Sequence, residues 1–372
     1  MLKLFRLIAS AVLCMAAVAC SGPAKPKPTE LLPAPSLMPV VRVWESKIGE
    51  VGFALDAKVV GSLVVLASSD GAVKALDVDT GAVRWAAQLD TKIVAGVGVD
   101  GDKVAVVTAS GDLSILQDGK PLWQQKLGAL AITPPLLAGG RAYVVTLNKT
   151  VMAFDASSGR RLWQLQREAD SLALGKAGVL MPLGDTLVVG LGGRLLGLNP
   201  STGAQRWEIP VAVSRATNEV ERLVDVVAGV SRLGSSVCVR AYLHSVACID
   251  AASSKLVWSK AAAGTTGVSG DAVAVFGAES DGRLVAWRRA DGERLWQTET
   301  FKWRDVGPPV LLGSSVAVPD GVGLIHLVSA RDGTLLGRMS LDGSPLAAAP
   351  VLAGKTLIVV TRKGGVLAFR PE

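Results

Sequence analysis

One short phrase recurs along this chain at intervals near 40 residues, and that period limits the fold more than any other feature. The phrase is a strand, an Asp-Gly or similar turn, a second strand, a Gly and a Trp. It reads SSDGAVKALDVDTGAVRW at 68–85, SGDLSILQDGKPLW at 110–123 and LNKTVMAFDASSGRRLW at 147–163. It returns as LGGRLLGLNPSTGAQRW at 191–207, LHSVACIDAASSKLVW at 243–258 and SDGRLVAWRRADGERLW at 280–296. A worn seventh copy, VGLIHLVSARDGTLLG at 322–337, carries Gly337 where the Trp belongs. Successive landmarks from Trp85 to Gly337 lie 38, 40, 44, 51, 38 and 41 residues apart. A period near 40 with four short strands per unit is the signature of a propeller blade.

An eighth copy opens at RKGGVLAFRPE, 362–372, and stops before its Trp strand. The missing strand stands at the other end of the chain, as VRVWESKI at 41–48, with Trp44 one period before Trp85. If that N-terminal strand completes the last blade, no blade is left with an unpaired edge. The expected fold is therefore all-β: an eight-bladed propeller of four-stranded antiparallel blades over residues 41–372, one domain despite its length. The 41 glycines and 49% hydrophobic content suit short buried strands joined by tight turns. Poor alternation, as in VVGSLVVLAS at 59–68, fits strands covered on both faces by neighbouring blades. The repeated Trp residues are expected to pack between adjacent blades.

The N-terminal end sets the compartment. Residues 1–19 have Lys3 and Arg6, then an apolar run and small residues before Cys20, as a signal peptide does. Ala17-Val18-Ala19-Cys20 resembles the lipobox of bacterial lipoproteins, which implies that Cys20 carries lipid; Ala17 departs from the usual Leu. Ser21 after it resembles the sorting signal for the outer membrane. SGPAKPKPTELLPAPSLMPV, 21–40, then reads as an extended Pro-rich tether without a core of its own. The expected picture is a rigid disc on a string, attached to the membrane through lipid only and facing the periplasm.

With Cys14 in the signal peptide and Cys20 lipidated, Cys238 and Cys248 remain. They flank the hairpin VCVRAYLHSVACI. A three-residue loop of Tyr242, Leu243 and His244 sets Ala241 against Ser245 and Cys238 against Cys248, whereas a two-residue loop would put the thiols on opposite faces. A periplasmic address permits a bridge; a cross-strand disulfide and two buried free thiols both remain open. The net charge of +7 falls to +5 without Lys3 and Arg6, and its basic residues are scattered through turns. No long basic run or nucleic-acid motif appears, so no nucleic-acid partner is expected.

Catalytic signals are thin. The two histidines, His244 and His326, have no second ligand at metal spacing. No nucleophile elbow, HExxH or P-loop occurs, and GLGGRLLG at 190–197 matches the repeat turn without leading into a helix. The Asp-Gly pairs are turn formers lacking the acidic density of calcium loops. Neither enzyme activity, a metal nor a cofactor is expected.

The phrase D-x-x-T/S-G-x-x-x-W, as in Asp77 to Trp85, resembles the repeat of the PQQ-type propellers. The quinoprotein dehydrogenases of that superfamily have larger blades, an axial calcium site and usually a vicinal cysteine pair, none of which is seen here. The chain is similar along nearly its whole length to the BamB lipoproteins of the outer-membrane β-barrel assembly machinery. That resemblance implies a scaffold that binds the periplasmic POTRA domains of BamA and assists folding and insertion of outer-membrane proteins. The longest period inserts RATNEVERLVDVVAGV at 215–230 and resembles a BamB contact loop preceding the first strand of blade five. Arg222, Leu223 and Asp225 match its motif, whereas Val227 replaces a second aspartate. The connection READSLALGKAGV at 167–179 resembles the other contact loop, with Leu172 and Leu174 matching two leucines and Lys176 standing one residue after the family's Arg position. For the leucines, capping of the blade-four core is the competing role; for Arg222 and Asp225 it is a salt bridge that orders the loop. Unfolded client proteins captured on blade edges are a further expected partner without a residue-level signature. The remaining alternatives are a periplasmic PQQ-type oxidoreductase and a generic substrate-binding propeller.

Overall fold

The computed structural model describes residues 26–167, 174–212 and 224–371. Their strands form eight separate four-stranded sheets. Seven sheets take four consecutive strands, all antiparallel; blade one, for instance, is Lys58–Val60, Leu63–Ala67, Ala72–Asp77 and Val83–Gln88. In the eighth, the N-terminal strand Val40–Lys47 lies beside Gly365–Pro371, with Val40 opposite Pro371 and Lys47 opposite Gly365. The propeller expected from the repeat is thus formed, and its two ends close the ring. Closure leaves no blade with an unfilled edge position.

Burial follows the order of strands within a blade. The second and third strands are nearly dry: Val64, Leu66, Val73, Ala75 and Leu76 of blade one are fully buried. They contact the next blade through both faces, so an alternating pattern would have left polar side chains in the core. The segment 59–68 is in fact two strands, turned at Gly61 with φ +57°, which explains why its apolar run is broken only there. One apolar cluster joins blades eight, one and two through Trp44, Leu66, Val106 and Ile358. The fourth strands, such as Val83–Gln88, form the exposed rim.

Each fourth strand carries a one-residue register shift at the Trp landmark. Trp85 pairs with Ala75 and Val83 with Leu76, so Arg84 is left over; blade eight shifts likewise between Arg42 and Trp44. Such a bulge increases local twist and re-aims a side chain. Here it accompanies an indole laid over the turn of the following blade. The Trp44 Nε1–H donates to the Val78 carbonyl at 3.0 Å, and Trp163 to Pro200 at 3.0 Å. A Cβ on Gly81 would meet the Trp44 ring at 2.5 Å, and φ +71° independently favours Gly there. The repeated Gly and Trp are therefore two halves of one inter-blade contact.

Residues 29–38, expected as free tether, lie against blade seven. The Leu37 N–H donates to the Leu336 carbonyl at 3.0 Å, and the Thr29 N–H to that of Lys302 at 3.0 Å. Arg338 Nη2 donates to the Leu32 carbonyl at 3.1 Å and Arg304 Nη1 to the Thr29 carbonyl at 3.1 Å. The strap crosses the one landmark without a Trp: a Cβ on Gly337 would lie 3.6 Å from the Met38 carbonyl oxygen and 3.7 Å from that of Pro35. The eighth blade has no covalent turn for an indole to cover, because chain ends meet there. The incoming chain takes that place.

Candidate partner-binding face

Antiparallel order sorts the connections of every blade onto two faces. Turns between second and third strands share a face with the links that carry the chain from one blade to the next. Backbone bonds join the two sets, as where the Leu147 N–H donates to Leu130 at 2.8 Å. On this face the entries to blades four and five meet. Gly178 and Val227 form an antiparallel bridge, and the Ala228 N–H donates to the Ala177 carbonyl at 2.8 Å. The Gly178 N–H is held by Thr133 Oγ1 at 2.9 Å, from the entry to blade three.

Of the site residues expected from sequence, Leu174 is half-buried, Lys176 exposed and Asp225 half-buried. Leu172, Arg222, Leu223 and Cys20 lie outside the described residues. Asp225 directly precedes the strand Val226–Leu233, so the inserted loop ends earlier than the sequence segment 215–230 suggests. Val227 is buried and pairs with Arg240; it is a strand residue, not a lost ligand. The Asp225 carbonyl accepts the Tyr242 N–H at 2.9 Å, which ties the loop to the hairpin turn of blade five.

That turn carries a residue the sequence reading missed. Leu243 is half exposed at 50% and sits at φ +51°, with its N–H donated to the Gly264 carbonyl at 2.8 Å. A leucine in a left-handed turn position is uncommon, and its apolar tip is held out of the core. The signal available in sequence was Leu243 itself, where Asn or Gly would suit the turn. His244 in the same turn is half-buried, and its Nδ1 is buried without a hydrogen-bond partner among the described residues. Leu243 thus stands next to Asp225, while Leu174 and Lys176 lie on the entry to blade four, just before the bridge of Gly178 with Val227.

A buried ion pair supports this corner. Arg240, fully removed from solvent, donates through Nη1 and Nη2 to Glu279 Oε1 at 3.2 and 3.3 Å. The other Glu279 oxygen accepts the Ala263 N–H, and the Trp287 ring lies 5.8 Å from the guanidinium carbon. Burial lowers the Arg240 pKa from its ordinary value, against the raising influence of Glu279. The pair couples blade five to blade six from the strand hydrogen-bonded to the one that Asp225 leads into.

Cys238 and Cys248 stand directly opposite each other on blade five, with Cα atoms 4.0 Å apart and sulfurs joined. Arg289 Nη1 approaches Cys238 Sγ at 3.2 Å, which encloses the pair in the inter-blade core. His326 is also buried: its Nε2 lies 3.2 Å from Asp320, and Arg338 Nε donates to its Nδ1 at 3.1 Å. Burial pulls its pKa below the usual histidine value, with Asp320 opposing. The neutral ring with its proton on Nε2 satisfies both neighbours.

The family model for outer membrane protein assembly factor BamB matches residues 69–298. The outer membrane protein assembly factor BamB of Burkholderia pseudomallei is 36% identical over 368 residues, which cover 98% of this chain and 97% of that protein. The chain belongs to the BamB family. Its fold agrees with the crystal structure of BamB from Moraxella catarrhalis, with a TM-score of 0.82 at 24% identity, covering 89% of this chain and 99% of that one. A quinohemoprotein alcohol dehydrogenase from Comamonas testosteroni gives a TM-score of 0.69 at 15% identity, over 90% of this chain and 77% of that one. At that identity it shares the propeller fold alone. Within the BamB-family chain, the two loops matched by sequence are hydrogen-bonded neighbours.

Proposed function

We propose that this chain is an outer-membrane protein assembly factor: a non-enzymatic scaffold, lipid-anchored through Cys20, facing the periplasm and binding the POTRA domains of BamA. Residues 1–19 are its signal peptide and 41–372 its propeller. The contact is made by the entries to blades four and five, through Leu172, Leu174, Lys176, Arg222, Leu223 and Asp225, with Leu243 beside them. The observation that carries this reading is the bridge between Gly178 and Val227, which brings both matched loops to one place on a stiff ring. A small apolar centre with a charged rim is the usual anatomy of a protein interface. The Cys238–Cys248 bridge is structural in this scheme. No cofactor enters it.

Isothermal titration of a soluble 21–372 form lacking Cys20 against its own BamA POTRA region tests the proposal. Saturable binding is expected, and Asp225→Ala or Leu243→Ala should weaken it by roughly 10-fold, about 1.4 kcal/mol at an interface anchor. Binding untouched by either change would keep the function and move the site. No saturation at tens of micromolar would overturn the BamA assignment.

A further inference from the structure

The N-terminal strap determines where the anchored end of the chain leaves the ring. From Met38 it runs along the outer strand of blade seven and reaches the loop-bearing face at Thr29, beside Lys302 and Arg304. Two arginines grip its carbonyls, and both belong to a buried network: Arg304 also binds Asp320 at 3.0 Å, and Arg338 also binds His326. Asp320 and His326 are fully enclosed, so the grip is backed by the core of blade seven. Cys20 stands nine residues before Thr29, a maximum reach of about 30 Å at ~3.3–3.6 Å per residue. Were the chain free as far as Val40, the reach would be about 70 Å.

At that exit stands Trp303, at 45% exposure the one tryptophan among the exposed large hydrophobic residues. Its backbone is left-handed at φ +60°, pinned by its N–H donated to the Asp281 carbonyl at 2.8 Å. The other described tryptophans lie on rim or inner strands and face neighbouring blades. Exposed Val322 stands on the adjoining turn, where the Gly321 N–H donates to the Arg304 carbonyl at 2.9 Å. Exposed Leu32 follows on the strap. Lys27 and Lys302 are balanced by Glu30, Glu299 and Asp305, so the corner is amphipathic rather than polybasic. An aromatic ring with mixed polar neighbours suits the head-group layer of a bilayer.

We propose that the corner formed by Trp303, Val322 and the strap residue Leu32 rests on the lipid surface, delivered there by the docked strap. This places the loop-bearing face toward the membrane. It rests on the reading of Cys20 as the lipid anchor.

The test uses the full lipidated protein in phosphatidylethanolamine–phosphatidylglycerol vesicles, some carrying a nitroxide-labelled head group, with tryptophan emission as the readout. Trp303→Phe should remove most of the quenchable emission, whereas Trp85→Phe should leave it in place. The double change Arg304→Ala and Arg338→Ala frees the strap and should at least halve the quenching, with faster amide exchange at Leu37 showing release. Protein that floats with the vesicles but is quenched equally with and without Trp303 overturns the inference and leaves the anchor intact. Protein that does not float, with an unlipidated mass, overturns the anchor reading and this one with it. Trp303 emission that shifts only on addition of the POTRA region assigns the corner to a protein partner and also overturns it.

Discussion

Among the described residues Arg240 is the largest side chain fully withdrawn from solvent, and nothing in the repeat phrase announces it. A buried guanidinium is tolerated because Glu279 supplies charge and acceptors within the same dry interface. Removing one partner leaves an uncompensated charge, which costs far more than the intact pair contributes. Glu279→Ala should therefore destabilise the ring by about 3–5 kcal/mol, read as a lower urea midpoint. Leu243→Ala should leave that midpoint unchanged, since half of its side chain already faces water. Leu243 and Arg240 were both invisible to pattern reading for one reason. Their roles depend on partners 21 and 39 residues further on, Gly264 in the link to blade six and Glu279 in blade six itself, which the repeat phrase does not mark.

The turn before each Trp is an element whose acid behaviour can be worked out. In blade one, Asp77 accepts from Arg84 at 2.6 Å, and from the Thr80 hydroxyl and the Asp79 and Thr80 amides. The Arg84 bond, then the Thr80 hydroxyl, pull its pKa down to about 2. Asp155, Asp250 and Asp332 are lowered in corresponding turns, chiefly by serine or threonine bonds. An unfolded aspartate titrates near ~3.9, so below that pH the unfolded chain binds more protons than the folded one. The contribution of these turns is full above pH ~4 and fades as pH falls toward ~2. Thermal melting followed across that window should drop steeply, and Asp77→Asn should be less stable at neutral pH yet lose less on acidification. In blade one this turn chemistry was readable from D-x-x-T/S-G alone, because every partner of Asp77 lies within seven residues. The bulge at the Trp was not, since register is a property of two paired strands.

At the scale of the molecule, stability depends on a ring whose last joint is noncovalent. The strand Val40–Lys47 fills the edge of blade eight and brings Trp44 over the turn at Gly81. Deleting residues 1–48 should expose the Gly365–Pro371 edge, lower stability by more than the ~3–5 kcal/mol of a single buried Trp, and promote association through the bared strand. Calorimetry and size-exclusion chromatography would register both effects, and a synthetic 40–48 peptide should reverse them. The ring also makes function a matter of placement. The loops at 174–178 and 225–228 are some fifty residues apart in sequence and hydrogen-bonded in space.

The repeat period determined the blade count, the closing strand and the packing of Trp between blades, because each follows from one pattern repeated along the chain. The hairpin arithmetic tied the Cys238–Cys248 register to a three-residue loop, and the structure has that loop, with the two cysteines opposite each other. Only the tertiary structure decided that Leu243 stands beside Asp225, that Arg240 and Glu279 clamp blades five and six, and that the N-terminal strap lies on blade seven. The first joins the entry of a blade to its own hairpin turn, and the other two join different periods of the repeat. Their geometry follows from closing the circle, and closure is a property of all eight blades at once.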